Sequence, residues 1–142
     1  MQTFLPFADF GESARVLDPR RLGKQRSEAL TVLRVLHIPT YGWQHHPVVR
    51  MWRGSEPALL AYGRAICEEW VARGHADTVL EKLAAYGEPA RQDEVRMPWW
   101  LGDERLHRSH RSNLVRKFPE WYRERFPDVP DDLPYFWPDA GA

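Results

Sequence analysis

The sequence predicts an all-α fold: a single compact helical domain over residues 1–142, with an irregular C-terminal tail rich in proline and aromatic residues. Apolar residues recur at helical spacing between prolines and glycines, and no alternating run is long enough for a strand. A chain of 142 residues also suits one domain that buries a sizeable core.

Helix start and stop signals divide the chain into seven predicted segments. Asp18 is placed to cap the longest one, Pro19 suits its first turn, and Gly74 and Gly87 are placed to end later ones. The segments are 13–17, 19–37, 48–53, 55–73, 77–86, 103–117 and 119–126. Residues 38–47 interrupt the helices with aromatic and histidine residues, and we expect them to form a loop that walls a site.

We expect the tail, residues 127–142, to pack along the surface through three aromatic residues, Tyr135, Phe136 and Trp137.

Lys and Arg together equal Asp and Glu at 20 each, so net charge does not decide whether nucleic acid is a partner. Residues 1–55 carry eight basic residues against four acidic ones, which predicts that the molecule has one basic side.

Cys67 is the only cysteine, so an internal disulfide is excluded. We expect Cys67 to be buried as a small hydrophobic side chain. We expect a cytoplasmic monomer without a cofactor.

Arg21, Lys24 and Glu28 form one stripe of the helix over residues 19–37, because at about 100° per residue they project within about 60° of one another. The apolar residues gather on another face, made of Leu22, Ala29, Leu33 and Leu36. A carboxylate between two cations suits acid or electrostatic catalysis on a polyanion, and it equally suits a surface ion-pair ladder. The residues alone leave both interpretations open.

Four histidines are the obvious candidate metal ligands, namely His45, His46, His107 and His110. Adjacent histidines rarely face one ion together, and His107 with His110 supply only two ligands. We therefore expect no metal, and we expect these histidines to lie in loops and on the surface, satisfied by hydrogen bonds.

The segment 105–117 carries cations and hydrogen-bonding side chains at most positions, which suits phosphate contacts or a merely solvated face. Trp121 follows it, and its ring suits stacking on an unpaired base or a place in the core. The candidates for DNA contact in this region are Arg108, Arg111 and Trp121.

Three segments carry a resemblance to a known family. They are 26–30 (Arg-Ser-Glu-Ala-Leu), 41–47 (Tyr-Gly-Trp-Gln-His-His-Pro) and 119–126 (Pro-Glu-Trp-Tyr-Arg-Glu-Arg-Phe). In order and spacing they resemble the pyrimidine-dimer DNA glycosylases of the endonuclease V type. These are small α-helical enzymes that cut the glycosidic bond at ultraviolet lesions and then nick the abasic site. The resemblance runs through most of the chain, and its most specific part is the first segment.

The resemblance implies that Glu28 is the catalytic carboxylate, and that the N-terminal α-amine attacks C1′ of the sugar to form an imine. The glutamate would stabilise the cationic sugar and shuttle protons. An α-amine is a sensible nucleophile because its ordinary pKa is ~7.7–8.0, which leaves a useful fraction unprotonated. The implied partner is damaged duplex DNA, with the base reached by distortion of the duplex or extrusion of a nucleotide.

Two residues depart from the family pattern. Gln2 is bulky and should hinder removal of Met1, so Met1 itself would supply the amine. Ser27 stands where the family has an arginine. Lys24 is a second candidate nucleophile, although a lysine must be desolvated or placed near other cations to react. The implied DNA contacts in this half of the chain are Arg20, Arg21, Arg26, His46 and Arg50.

Two other functions fit the same residues. One is a non-catalytic helical module that binds nucleic acid, with the stripe as an ion-pair ladder. The other is an enzyme of this fold that acts on another base or nucleotide, since a fold does not fix a function.

Overall fold

The computed structural model describes residues 1–139, and in that part of the chain it is helical without any strand, as predicted. Within residues 1–139, seven α-helices are joined by turns and loops, with two short 3₁₀ helices at Ala84–Tyr86 and Gln92–Glu94. The α-helices are α1 (Phe10–Val16), α2 (Pro19–His37), α3 (Pro47–Trp52), α4 (Glu56–Ala72), α5 (Val79–Leu83), α6 (Glu104–Lys117) and α7 (Pro119–Tyr122).

Helix α2 is the central element and has the predicted bounds. The Asp18 carboxylate accepts a hydrogen bond from the Arg21 N–H at 3.4 Å, and Pro19 occupies the first turn. Helix α2 packs mainly on α4, and α5 contacts both. Gly63 permits this approach: a Cβ there would lie 2.7 Å from a Leu83 methyl and 3.5 Å from Ala29 of α2.

Aromatic side chains dominate the core. The rings of Trp52 and Trp100 meet edge to face at 4.9 Å, and Phe10 meets Tyr62 in the same way at 5.5 Å. All four are fully buried. Cys67 is also buried, as expected, and burial raises the pKa of its thiol to about 12, so it is a poor nucleophile.

Two helix boundaries differ from the predictions because of local caps. Helix α1 begins at Phe10 rather than residue 13, since the Asp9 side chain accepts the Glu12 N–H at 2.8 Å. The segment 77–86 starts its helix only at Val79, because Asp77 accepts the N–H groups of Val79 and Leu80, and its last three residues form a 3₁₀ turn.

Two further predictions about helix ends differ from the structure. Helix α7 ends at Tyr122 rather than residue 126. Ser55 sits at the N-cap of α4, but its side chain makes no capping hydrogen bond.

The tail packs along the surface through Tyr135, Phe136 and Trp137 as predicted, as far as residue 139, and the structure shows that it lies on α6. Residues 140–142 lie outside the described part. The Ser112 hydroxyl accepts the Leu133 N–H at 3.0 Å, and the Ser109 hydroxyl accepts the Phe136 N–H at 3.1 Å. Within residues 1–139 no helix combines the length and the hydropathy that a membrane span needs.

One prediction about α6 was wrong. Five of its polar side chains are buried rather than available to phosphates: His107, Ser109, His110, Ser112 and Asn113. They are covered because the tail lies on one part of this face and the N-terminal segment on another. These five polar side chains therefore serve the interior, whereas Arg108 and Lys117 of the same helix stay exposed.

Candidate functional site

The first residues of the chain are tied into the protein by side chains of several helices. Gln25 of α2 is the centre: its side-chain oxygen accepts the Phe4 N–H at 2.9 Å, and its amide donates to the Gln2 carbonyl at 3.0 Å. The Tyr62 hydroxyl donates to Gln25 at 2.7 Å and contacts the Phe4 carbonyl at 2.8 Å. Gln25 is 2% exposed, so water does not reach these groups to replace the hydrogen bonds that Gln25 makes.

Two histidines of α6 hold Leu5 from the other side. His107 Nδ1 donates to the Leu5 carbonyl at 2.8 Å and its Nε2 accepts the Gly102 N–H. The Leu5 N–H donates to His110 Nδ1 at 2.9 Å. Because each ring accepts one N–H, both are neutral. The expectation that these two histidines are loop or surface residues was therefore wrong.

We expect these histidines to make stability fall with acidity. Burial, followed by the effect of His107, lowers the pKa of His110 to about 3, and burial also lowers the pKa of His107. In the unfolded chain both titrate near 6.5. Below that pH both histidines bind protons in the unfolded state but stay neutral in the native state. His110 alone should therefore reduce the free energy of unfolding by roughly 2 kcal/mol between pH 7 and pH 5.

Urea unfolding at pH 7, 6 and 5 measures this effect. His110→Asn keeps an acceptor for the Leu5 N–H but does not titrate, so its stability should fall less steeply with acidity than that of the wild type. Equal slopes for the two proteins would contradict the assignment.

The anchored N-terminus leads into a pocket of about 320 Å³. The three residues predicted to be catalytic, Met1, Lys24 and Glu28, all line it. The rest of the lining comes from Gln2, Phe4, Arg20, Arg21, Gln25, Lys117 and Tyr135. The stripe of α2 thus faces the start of the chain across one cavity.

The pocket is electropositive. Four cationic side chains, Arg20, Arg21, Lys24 and Lys117, surround a single carboxylate, that of Glu28. Arg21 is partly neutralised by Asp18, 3.3 Å away. Such a cavity favours an anionic ligand, because the cationic side chains attract its negative charge.

The charges of Glu28 and of the Met1 amine change the pKa values of two other side chains. Burial raises the pKa of the Tyr62 hydroxyl, which donates to Gln25, and the Glu28 carboxylate raises it further. Burial lowers the pKa of His46, and the positive charge of the Met1 amine lowers it further. His46 Nδ1 accepts the Val48 N–H at 3.1 Å, so in the neutral ring the proton is on Nε2.

Three residues predicted to contact DNA make contacts within the protein and do not line the pocket. Arg26 pairs with Asp77 at 2.6 Å and lies over the Trp70 ring. Arg111 donates to the Pro6 carbonyl at 2.8 Å and pairs with Glu104. The Trp121 indole donates to the Val16 carbonyl at 2.9 Å. The DNA contacts of Arg26, Arg111 and Trp121 stay predictions, and these side chains lie apart from Glu28 with partners inside the protein.

Two further candidates are exposed but also lie outside the pocket. Arg50 pairs with Asp139, and its side chain is about half exposed. Arg108 is exposed on α6. Both stay available to a partner, whereas neither surrounds Glu28.

Sequence reasoning missed five residues that line this site, namely Gln2, Phe4, Gln25, Lys117 and Tyr135. Gln25 carried a usable signal, since an amide at the spacing of Leu22 and Ala29 falls on the core face of α2 and must find buried partners. Lys117 and Tyr135 carried none, because only the folded chain brings the end of α6 and the tail beside α2.

We expect Gln25→Leu to lower the free energy of unfolding by about 2–4 kcal/mol, because it strands the Phe4 N–H and the Gln2 carbonyl without partners. Urea unfolding measures this. Ser27→Leu is the matched control, since residue 27 is exposed on the same helix and should change stability by less than about 0.5 kcal/mol. Similar losses in both variants would contradict the anchoring role.

Comparison with known proteins places the chain in a family. No curated protein and no solved structure matches it significantly. A family model described as pyrimidine dimer DNA glycosylase matches residues 1–83, which is more than half of the chain. The match includes Met1, Lys24 and Glu28 and excludes α6 and the tail. The chain therefore belongs to the pyrimidine dimer DNA glycosylases, a family of DNA repair enzymes whose partner is DNA.

Proposed function

We propose that the protein cuts the glycosidic bond of a damaged base in duplex DNA and then cleaves the strand at the abasic site through an imine. The observation that carries this proposal is the juxtaposition of Met1, Lys24 and Glu28 in one electropositive pocket. An amine and a carboxylate are the two groups that this chemistry requires, and neighbouring cations suit the phosphates of the backbone.

In the first step the Met1 amine attacks C1′ of the sugar, and the bond from C1′ to the base breaks with its electron pair leaving on the base. Glu28 stabilises the positive charge that develops on the sugar, and it passes protons between the amine, the ring oxygen and the leaving base. Opening of the sugar ring leaves an imine between Met1 and C1′.

In the second step the imine makes the C2′ hydrogen acidic. Glu28 removes this proton, the 3′ phosphate leaves with the bonding electrons, and water then releases the protein from the sugar. Arg20, Arg21 and Lys117 hold the flanking phosphates as point charges or hydrogen-bond donors.

Incubation with three duplexes in the presence of borohydride tests the proposal. One duplex carries a pyrimidine dimer, one an abasic site and one no damage. Reduction of the imine should leave a stable covalent adduct, seen by gel and by intact mass, on the first two duplexes only. Absence of an adduct on both damaged duplexes overturns the proposal.

The same experiment separates the two alternatives. A non-catalytic binding module would retain the damaged duplexes, with an affinity that falls steeply with salt, and would break no bond. An adduct on the abasic duplex without cleavage at the dimer would indicate that the lyase step is right and that the base recognised is a different one.

A further inference from the structure

The wall of the pocket that α2 faces comes from both ends of the chain. Met1 and Gln2 belong to the N-terminal segment, whereas Lys117 and Tyr135 belong to α6 and the tail, beyond the residues that the family model matches. The two-step chemistry uses the Met1 amine and the Lys117 charge, but it gives no part to the other two side chains. A phenol hydroxyl and an amide both donate hydrogen bonds without carrying a charge. The pocket therefore holds two neutral donors whose role is open.

The tail holds Tyr135 in a defined place. Hydrogen bonds from the N–H groups of Leu133 and Phe136 to serine hydroxyls of α6 fix the backbone on both sides of it. Its ring meets His110 edge to face at 5.6 Å and lies 5.5 Å from the ring of Trp137. A donor that is held in place before the ligand arrives needs no reorganisation during the reaction.

The Gln2 amide acts on the Tyr135 hydroxyl. Gln2 Oε1 accepts the Thr3 N–H at 2.9 Å, which leaves the amide nitrogen as the free end of this side chain. The nitrogen is buried and lacks a partner at full hydrogen-bond geometry within residues 1–139. Burial raises the pKa of Tyr135, and a weak hydrogen bond from the Gln2 amide is the first of the effects that lower it. A phenol oxygen that accepts from an amide keeps its own proton for another acceptor.

The loss of the base is the moment at which such a proton has an acceptor. When the bond between C1′ and N1 of a pyrimidine nucleotide breaks, negative charge spreads from N1 onto the nearby O2 carbonyl of the base. The Glu28 carboxylate accepts hydrogen bonds and donates none, while the four cations suit phosphates. Gln2 follows Met1 directly, so the hydroxyl on which its amide acts belongs to the same wall of the pocket as the attacking amine. A base carbonyl close to C1′ matches this donor.

We propose that the Tyr135 hydroxyl donates a hydrogen bond to the O2 carbonyl of the leaving pyrimidine, and that Gln2 is the positioning residue for this hydroxyl. The electron pair of the C1′–N1 bond passes to N1 and O2. Tyr135 keeps its proton, and the base takes up the proton that the Met1 amine gives up through Glu28.

This inference rests on the proposed function for the imine chemistry. An abasic site has no base carbonyl, so Tyr135 acts in the first step and has no partner in the second. The two steps of one protein therefore separate this role from a structural one.

The test compares both steps in Tyr135→Phe, which removes the hydroxyl and keeps the ring that packs on the tail and α6. Single-turnover base loss is measured on the dimer duplex, with hot alkali to reveal every site at which the base has left. Strand cleavage is measured on the abasic duplex without alkali, and both rates are taken per molecule that borohydride can trap there. The first step should slow about a hundredfold, as for loss of one donor to a developing negative charge, and the second should change by less than about twofold.

Two controls accompany this variant. Tyr86→Phe is matched to it, because Tyr86 is a half-buried tyrosine that does not line the pocket, and both of its rates should equal those of the wild type. A duplex with a tetrahydrofuran abasic analogue, the tetrahydrofuran duplex, cannot form an imine and carries no base at that site. Tyr135→Phe should bind it as tightly as the wild type does.

Gln2→Met tests the positioning role, since it keeps a bulky second residue but removes the amide. It should lower the ratio of the first-step rate to the second-step rate. In the Tyr135→Phe background it should leave that ratio unchanged, because the amide acts only through the hydroxyl. A further fall of the ratio in the double variant would contradict the role of Gln2.

Equal slowing of both steps in Tyr135→Phe overturns the inference, because the hydroxyl would then serve the placement of the N-terminal segment. If the wild type removes the base and Tyr135→Phe removes it at the same rate, the inference alone falls and the proposed function stands. If the wild type forms an adduct on the abasic duplex but removes no base from the dimer duplex, the first step of the proposed function is wrong. The role of Tyr135 at the dimer is then wrong as well.

Discussion

Acetylation of the Met1 amine is expected to reduce covalent trapping and strand cleavage to the level of protein-free DNA. The acetyl group delocalises the nitrogen lone pair into an amide, so the Met1 nitrogen no longer attacks C1′. Residues 2–5 are fixed by hydrogen bonds from Gln25, Tyr62, His107 and His110, so the first residue has little freedom. Single-turnover cleavage of the abasic duplex measures the effect, with intact mass to confirm the modification.

Lys24→Arg is the companion variant, since it keeps a cation in the pocket but removes the only side-chain amine on the stripe of α2. Guanidinium stays protonated and is not a nucleophile. We expect this variant to keep cleavage within about tenfold of the wild type, because Lys24 then acts as a phosphate contact. Full activity of the acetylated protein with an inactive Lys24→Arg variant would reverse the assignment and make Lys24 the nucleophile.

Binding provides the control for both changes. Acetylation removes one positive charge from a pocket that retains four cationic side chains, so affinity for the tetrahydrofuran duplex should fall only a few-fold. A loss of binding as large as the loss of cleavage would mean that the modification displaces the N-terminal segment rather than the nucleophile.

The sequence predicted best what is set by neighbours along the chain. Asp18 and Pro19 start α2, and the same helix carries Arg21, Lys24 and Glu28, so helical spacing alone brought three of the ten lining residues together. Helix α1 was misplaced because Asp9, its true cap, lies in a stretch with little apolar periodicity.

What the sequence could not predict depends on segments that are far apart in the chain. The polar face of α6 looks like a phosphate-binding surface until Leu5, about a hundred residues earlier, is found against His107 and His110. Helical periodicity shows which residues share a face, but it does not show whether a polar face meets solvent or another buried segment. For the same reason Lys117 and Tyr135 entered the site only with the folded structure.

Glu28→Gln is expected to lower trapping and cleavage by roughly 10²–10⁴-fold while leaving the fold intact. The amide has the shape of the carboxylate, but it neither stabilises a cationic sugar nor accepts the proton from C2′. Single-turnover rates on the abasic duplex measure the loss, and Glu12→Gln, which removes an exposed acid from α1, is the matched control with an unchanged rate.

Affinity should move in the opposite direction to activity. Glu28 is the only carboxylate among the residues that line the pocket, so its neutralisation removes the one repulsion that the phosphates of the DNA meet there. The variant should therefore bind the tetrahydrofuran duplex as tightly as the wild type or more tightly. If Glu28 belonged only to an ion-pair ladder, the reverse pattern would be expected. Glu28→Gln would then lower the free energy of unfolding and leave the cleavage rate per folded molecule unchanged. A variant that cleaves at the wild-type rate would remove Glu28 from the mechanism, even if trapping through Met1 is observed.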